Sequence, residues 1–305
     1  MYYYKAFGLI ISSDIQLPPL HLLLQSRDAP PVDVTIRHGE IDKNGLKQAT
    51  TTGLYCQVTA NHLWLHVPNI AWFEVIDGNQ IVVMPEPGAD QQSIRLYILG
   101  SCLGCILHQR HFLVMHANTI RFGDHCVMFA GASGNGKSTL AAAFHQRGQQ
   151  ILADDVSAIN SQGEVIPSYP QLKLWHDTIK QLDIKLTGLS KIRMQVNKYA
   201  YPLDDNSFCQ KPLPLTAIYL LNTHNQDSFL KESINGFSKF NPIKNNTYRP
   251  SYVKGLELQS VQLKQASKLA GRIYITRITR PNRSFQIDQL IDFIQQDMVS
   301  HGMAI

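Results

Sequence analysis

Charge is scarce in this chain. Of 305 residues, 17% are Asp, Glu, Lys or Arg, against 44% apolar. That balance excludes a disordered chain, which lacks the apolar surface to offset the entropy of folding. Nineteen Gly and 15 Pro are too few for a collagen-like fibre. No repeat of fixed period is visible. The most apolar stretch, 96–107, is shorter than the roughly 20 residues a bilayer span needs, and no membrane partner is expected. Met1–Lys5 lacks the basic region and apolar run of a secretory signal. The five Cys (56, 102, 105, 126 and 209) form no regular framework. Cys102 and Cys105 make a C-x-x-C, but no second Cys or His pair accompanies it, so buried free thiols are expected rather than zinc or redox chemistry. These absences predict a soluble, reduced, cytoplasmic protein. There is no concentrated basic stripe with interleaved aromatics, so nucleic acid is not an expected partner. The net charge, 28 − 23 = +5, is a mild bias toward anionic ligands.

What is present divides the chain. Residues 1–88 read as short strands: Val32–Arg37 alternates apolar and polar, while 54–67 and 71–84 are rich in β-branched and aromatic residues. Pro68-Asn69 and Asp77-Gly78 are turn signals, and Glu86-Pro87-Gly88 reads as a boundary. Beyond it, Gln91–Gln109 has helical spacing of Leu96, Leu99, Leu103, Ile106 and Leu107, with small Gly100, Ser101 and Gly104 between them. Strands are predicted over 112–122 and 125–129, joined at Gly123-Asp124, then a helix to about Arg147 stopped by Gly148. Gln150–Ala153, Leu215–Leu221 and Arg272–Ile278 read as strands, and 257–269 and 287–298 as helices. The polar segment 222–255 reads as a solvated loop, a lid or a peptide-docking loop. The resulting expectation is an α/β protein with a small β-rich N-terminal domain (1–88) and a larger catalytic domain (89–305).

One motif carries chemistry. Residues 131–138 match G-x-x-x-x-G-K-[ST] between an apolar strand and a helix. Gly131, Ala132, Ser133, Gly134, Asn135 and Gly136 would curl so that backbone N–H groups face phosphate oxygens. The helix N-terminus adds partial positive charge. Lys137 would meet the β and γ phosphates, and the Ser138 hydroxyl would ligate Mg²⁺, with Thr139 completing the loop. Asp154-Asp155 ends the next strand, where ligands bind in α/β sheets. One carboxylate can serve metal or water and the other a proton. His116, on the strand before the hairpin, fits either a hydrogen-bonded core residue or an active-site one.

Val114-Met115-His116-Ala117, the 131–138 loop, Arg147-Gly148 and Leu152-Ala153-Asp154-Asp155 together resemble the catalytic domain of HPr kinase/phosphorylase. That P-loop fold is shared with ATP-dependent phosphoenolpyruvate carboxykinase. The first aspartate follows the loop lysine by only 17 residues (154 − 137). The resemblance implies His116, Lys137 and Asp154 as catalytic residues, with Asp154 taking the proton from a substrate serine. It implies Ser138 at magnesium and ATP as donor; Asp155 is assigned to metal or water. Phe7-Gly8-Leu9, Ser13, Leu17-Pro18, 168–175 and Arg280-Pro281 look like the related serine kinases of peptide-modification clusters. Ser138-Thr139 replaces the Ser-Glu usual in true HPr kinases, and the C-terminal P-x-x-x-G-R-N-type signature is absent. Lys180 stands near where the family's later acidic ligand is expected. The expected partner is a protein or peptide bearing a serine; a homo-oligomer is compatible with the family. Kinase action on a small-molecule hydroxyl, or a non-catalytic nucleotide-binding regulator, are the alternatives. Lys173 is a candidate phosphate contact on a strand or substrate wall. Lys198, Arg249 and Arg280 are candidate anion contacts or surface charges.

Overall fold

The structure, a computed structural model, describes residues 1–23, 31–282 and 286–305. Period-two alternation in the first 85 residues produces a nine-stranded sheet. Its order is His21–Leu22, Tyr2–Ala6, Leu9–Ser13, Val34–His38, Gln80–Pro85, Ala71–Ile76, His62–Val67, Cys56–Val58 and Thr51–Thr52. Val34–His38 pairs parallel with both neighbours; the other pairs are antiparallel. One face is apolar: Ile11, Ile36, Leu63, Phe73 and Ile81 are fully buried.

That face packs against the helical stretch that follows. Asp90 caps it, its carboxylate accepting from the Ser93 N–H at 2.7 Å. The stretch is α-helical over Gln91–Tyr97, π-helical over Ile98–Cys102 and α-helical again over Leu103–Gln109. The small residues seen in the sequence have a definite use. A Cβ on Gly104 would lie 2.6 Å from Tyr248 Cε1, so the Tyr248 ring lies directly on the helix backbone. The buried cluster that starts in the front sheet runs on through Ile94, Leu103 and Ile106 to Val114, Tyr169 and Tyr252. The core thus crosses the Glu86–Gly88 boundary.

The second sheet is strongly mixed. Its order is Leu113–Met115, Ser157–Ile159, Glu164–Ile166, Leu213–His224, His125–Ala130, Ala117–Phe122 and Ile151–Ala153. Tyr274–Pro281 joins Leu213–His224 in parallel, and Leu230–Ser233 pairs antiparallel with Tyr274–Pro281. Helices Lys137–Gln146 and Ile287–Ser300 contribute to the core cluster on one face, and helix Gln259–Ala270 to that on the other. A three-stranded sheet, Gln171–Trp175, Lys198–Pro202 and Ser190–Lys191, packs beside the first of these helices.

Two expectations change here. The strand expected over 112–122 is two strands that join different neighbours, interrupted at His116. Its N–H donates to the Asn246 carbonyl at 2.7 Å instead of to a sheet partner. The polar 222–255 segment is not one loop. It holds Leu230–Ser233, a 3₁₀ turn at Gly236–Lys239 and helices Phe240–Asn245 and Pro250–Gly255, which bury Ile243, Tyr252 and Val253. All five Cys are free thiols, four of them buried. Among the described residues, no helix is long and apolar enough to cross a membrane.

Candidate functional site

Strand His125–Ala130 runs parallel to Leu213–His224 and ends in the glycine-rich loop. Gly131 has φ +142°, and a Cβ there would lie 2.5 Å from the Leu221 carbonyl oxygen. Only glycine lets the chain pass so close to the neighbouring strand. Asn135 Nδ2 donates to that same carbonyl at 2.7 Å, tying the loop to the strand. Gly134 and Gly136 are also left-handed, and helix Lys137–Gln146 begins directly after. Lys137 Nζ folds back onto the loop, donating to the Gly131 carbonyl at 2.7 Å and the Ala132 carbonyl at 3.2 Å. Burial lowers its pKa, against the pull of Asp155, so the ammonium is short of counter-charge where it sits. Thr139 points elsewhere: its hydroxyl shares a 2.8 Å hydrogen bond with Thr178 and ties the helix to His176–Gln181. The Ser138 hydroxyl makes no such bond among the described residues.

Asp154 and Asp155 are neighbours in sequence and opposites in environment. Asp154 is buried, and both carboxylate oxygens are already used. Asn118 Nδ2 donates to Oδ1 at 2.7 Å and the Lys173 N–H to Oδ2 at 2.8 Å. Burial, followed by the charge of Asp155, raises its pKa to about 6. Asp155 has a left-handed backbone (φ +66°), uncommon outside glycine and tolerated by aspartate. Its Oδ2 accepts from Lys173 Nζ at 3.1 Å and lies 3.7 Å from Lys198 Nζ. Burial alone would raise its pKa; Lys173 and Lys198 outweigh that and hold it well below the carboxylate range.

This asymmetry yields a pH prediction. A carboxyl whose folded pKa is raised binds its proton more readily in the native state. Its contribution therefore stabilises the fold as pH falls from about 6 toward the ordinary value near 4. The melting temperature of wild type relative to Asp154→Asn is expected to rise across that window, as followed by thermal melts from pH 7.5 to 4.5. A difference that stays flat or falls would refute the raised pKa. The amide should be accommodated, because Asn118 Oδ1 is buried without a partner and can accept from it after a side-chain flip.

Two cavities meet at the loop. One, about 850 Å³, is bounded by the loop on one side and Ser101, Tyr248 and Arg249 on the other. The second, about 770 Å³, is bounded by Lys137, Ser138, Lys198 and Arg280 with Trp175 and Phe229. His116, Ser133 and Asp155 line both; Asp154 lines neither. His116 Nδ1–H donates to the Asp155 carbonyl at 3.0 Å, which leaves Nε2 as an acceptor. Burial and then the Lys137 charge lower its pKa, so the ring is neutral near pH 7. Arg280 lies against Gly136: a Cβ there would be 3.4 Å from Arg280 Nη2. Burial alone lowers its pKa.

The structure therefore brings together His116, Lys137, Ser138, Asp155 and the loop residues. Asp154, expected at the reacting groups, is buried behind them and lines neither cavity, and Thr139, expected on the nucleotide, is committed to Thr178. Lys173, Lys198 and Arg280, read from sequence as candidates, all reach the site. The role of Asn118 at Asp154 has no sequence signal, because a lone Asn in an apolar strand reads as any polar residue. Lys180 is exposed, and the acidic residue closest to it in sequence that lines the second cavity is Asp177.

The fold is a mixed α/β arrangement with several sheets. No family model matches the chain, and no curated protein matches it. Among solved structures it is similar to the Hpr(Ser) kinase/phosphatase from Coxiella burnetii, with 15% identity, 62% of this chain and 97% of that chain covered, and a TM-score of 0.30.

Proposed function

We propose that this protein is an ATP- and Mg²⁺-dependent kinase that transfers the γ-phosphoryl group to a hydroxyl, with a serine of a protein or peptide as acceptor. The observation that carries this reading is the meeting of two cavities at one glycine-rich loop, with Asp155 and His116 facing both. Phosphoryl transfer requires a donor and an acceptor on either side of the transferred group, and two cavities provide that.

The nucleotide takes the cavity with Lys137, Ser138, Lys198 and Arg280. There the cations match the phosphates, and Trp175 and Phe229 offer apolar surface for a base. The acceptor takes the other cavity. Magnesium ligands are oxygens, with several supplied by phosphate and water. The Ser138 hydroxyl has no competing hydrogen bond among the described residues, so it fits that role. No group of three acidic, His or Cys side chains forms a protein-only cage among the described residues. When bound, magnesium would neutralise charge on the phosphates.

The protein groups do the rest. Loop N–H groups hold the phosphates, and Lys137 moves from the loop carbonyls to an incoming phosphate oxygen. Asp155 orients the acceptor hydroxyl and takes its proton on Oδ1, the oxygen that neither Lys173 nor Lys198 holds, a modest demand in a loose transition state. His116, neutral, offers Nε2 beside the reacting groups. Asp154 acts as a positioning residue that holds the Lys173 backbone. Residues 89–305 serve as the catalytic part, and 1–88 as a small β-rich part whose core continues into it.

The test is transfer from ATP labelled at the γ position into a cell extract and a serine-peptide panel, with sites mapped by mass spectrometry. Label is expected on serine, dependent on Mg²⁺ and abolished by a chelator. Label released only as inorganic phosphate, with no acceptor in either mixture, would refute the reading.

A further inference from the structure

The acceptor cavity contains a cation that the mechanism above does not use. Arg249 lines the wall opposite the loop. Its Nη2 donates to Ser101 Oγ at 3.0 Å, and its guanidinium lies 5.8 Å from the Tyr248 ring centroid. No carboxylate comes within ion-pair distance of it among the described residues. The other cations of this cavity are already matched: Lys173 with Asp155, and Arg277 with Glu232. Arg249 is thus the cation left for a ligand.

Three local departures from regular structure place it there. Its backbone is left-handed (φ +49°), an uncommon conformation for a bulky residue and doubly so before a proline. Ser101, which holds the guanidinium, lies in the π-helical turn Ile98–Cys102, a feature often found at functional sites. The intervening Tyr248 ring lies on Gly104. The same wall is stitched to His116: Asn246 accepts from the His116 N–H, and the Tyr248 N–H donates to the Val114 carbonyl at 2.8 Å. His116 and Arg249 are therefore held by one short segment.

We propose that Arg249 forms an anion subsite in the acceptor cavity, and that the acceptor is a peptide carrying a carboxylate close to its accepting hydroxyl. This rests on the kinase reading above. One unpaired guanidinium matches one negative charge, and its planar fork matches a carboxylate. A phosphate dianion would call for a second free cation. An extended occupant is indicated because the cavity shares Leu96 and Lys173 with a further groove of about 600 Å³ that reaches His21 and Leu22 at the edge of the front sheet.

The experiment measures binding of short serine peptides to the full chain by titration calorimetry without nucleotide. The panel has neutral flanks, an Asp or Glu beside the serine with an amidated end, a free chain-terminal carboxylate beside the serine, or Lys flanks. At least one carboxylate peptide is expected to bind about ten- to a hundredfold more tightly than the neutral one, the usual range for a charge-assisted hydrogen bond. The two carboxylate arms distinguish a side-chain from a chain-end source. Arg249→Gln is expected to erase the preference, and Arg249→Lys to restore part of it. Ser101→Ala should reduce it about threefold, a variant to use if Arg249→Gln fails to fold. No preference, a preference unchanged in Arg249→Gln, or no binding of any peptide would overturn the proposal. A preference that depends on Arg249 without any phosphate transfer would support the subsite and count against the kinase reading alone.

Discussion

Lys137→Ala is expected to lower phosphoryl transfer by about three orders of magnitude or more while leaving the fold intact. The ammonium now donates to two loop carbonyls, and no carboxylate forms an ion pair with it among the described residues. Burial already opposes its charge, so an incoming phosphate relieves a cost as well as gaining an attraction. Removing the side chain should lower the melting temperature only slightly, because the chain around Ala132 to Gly134 is exposed and water can replace the lost donors. Arginine is not expected to rescue it. The lysine stem is buried under the loop, and a guanidinium is larger and planar. Single-turnover transfer from labelled ATP, with circular dichroism as a fold control, gives the result. Transfer within tenfold of wild type would remove Lys137 from the mechanism.

The parts of the site set by short-range sequence were legible, and those set by distant chain were not. The loop reads directly because Gly131, Gly134 and Gly136 have left-handed conformations within six residues, and an apolar strand and a helix flank them. The front strands read well because alternation and turn residues are local signals. His116 read as mid-strand because its apolar neighbours continue the pattern. The break comes from Asn246, 130 positions later, whose carbonyl takes its N–H. The 222–255 segment hid its helices because each is about six residues long and buries only one or two apolar side chains, too few for a periodic signal.

Lys173 and Lys198 illustrate the same limit. Charged residues on short strands usually face water, and only pairing of Gln171–Trp175 with Lys198–Pro202 brings both ammonium groups to one carboxylate. The Arg249 wall is less legible still. It depends on a π-helical turn and a bare glycine in one stretch, and on a left-handed arginine and its neighbouring tyrosine about 145 positions later. In both cases the residue type was visible, and the partner that gives it meaning was supplied by the fold.

The sharpest division of labour is expected between the two aspartates. Asp155→Asn should lower transfer by about a thousandfold, whereas Asp154→Asn should stay within about tenfold of wild type. A group that orients an acceptor must reach it, and only Asp155 lines the cavities. Asparagine tolerates the left-handed backbone at 155, so the change removes charge with little conformational cost. It does leave Lys173 buried beside a neutral amide, and breaking one side of a buried pair costs about 3–5 kcal/mol. A fall in melting temperature should therefore accompany the loss of activity. The two effects separate in Asp155→Asn/Lys173→Met, where removing the stranded ammonium should recover stability but not transfer. If the double variant regains both, Asp155 acts only by supporting the fold. If Asp154→Asn remains folded and loses as much activity as Asp155→Asn, the first aspartate is the base and the burial argument fails. The kinetic comparison thus decides which of two adjacent carboxylates meets the substrate: the resemblance points to Asp154, whereas of the two only Asp155 lines the cavities.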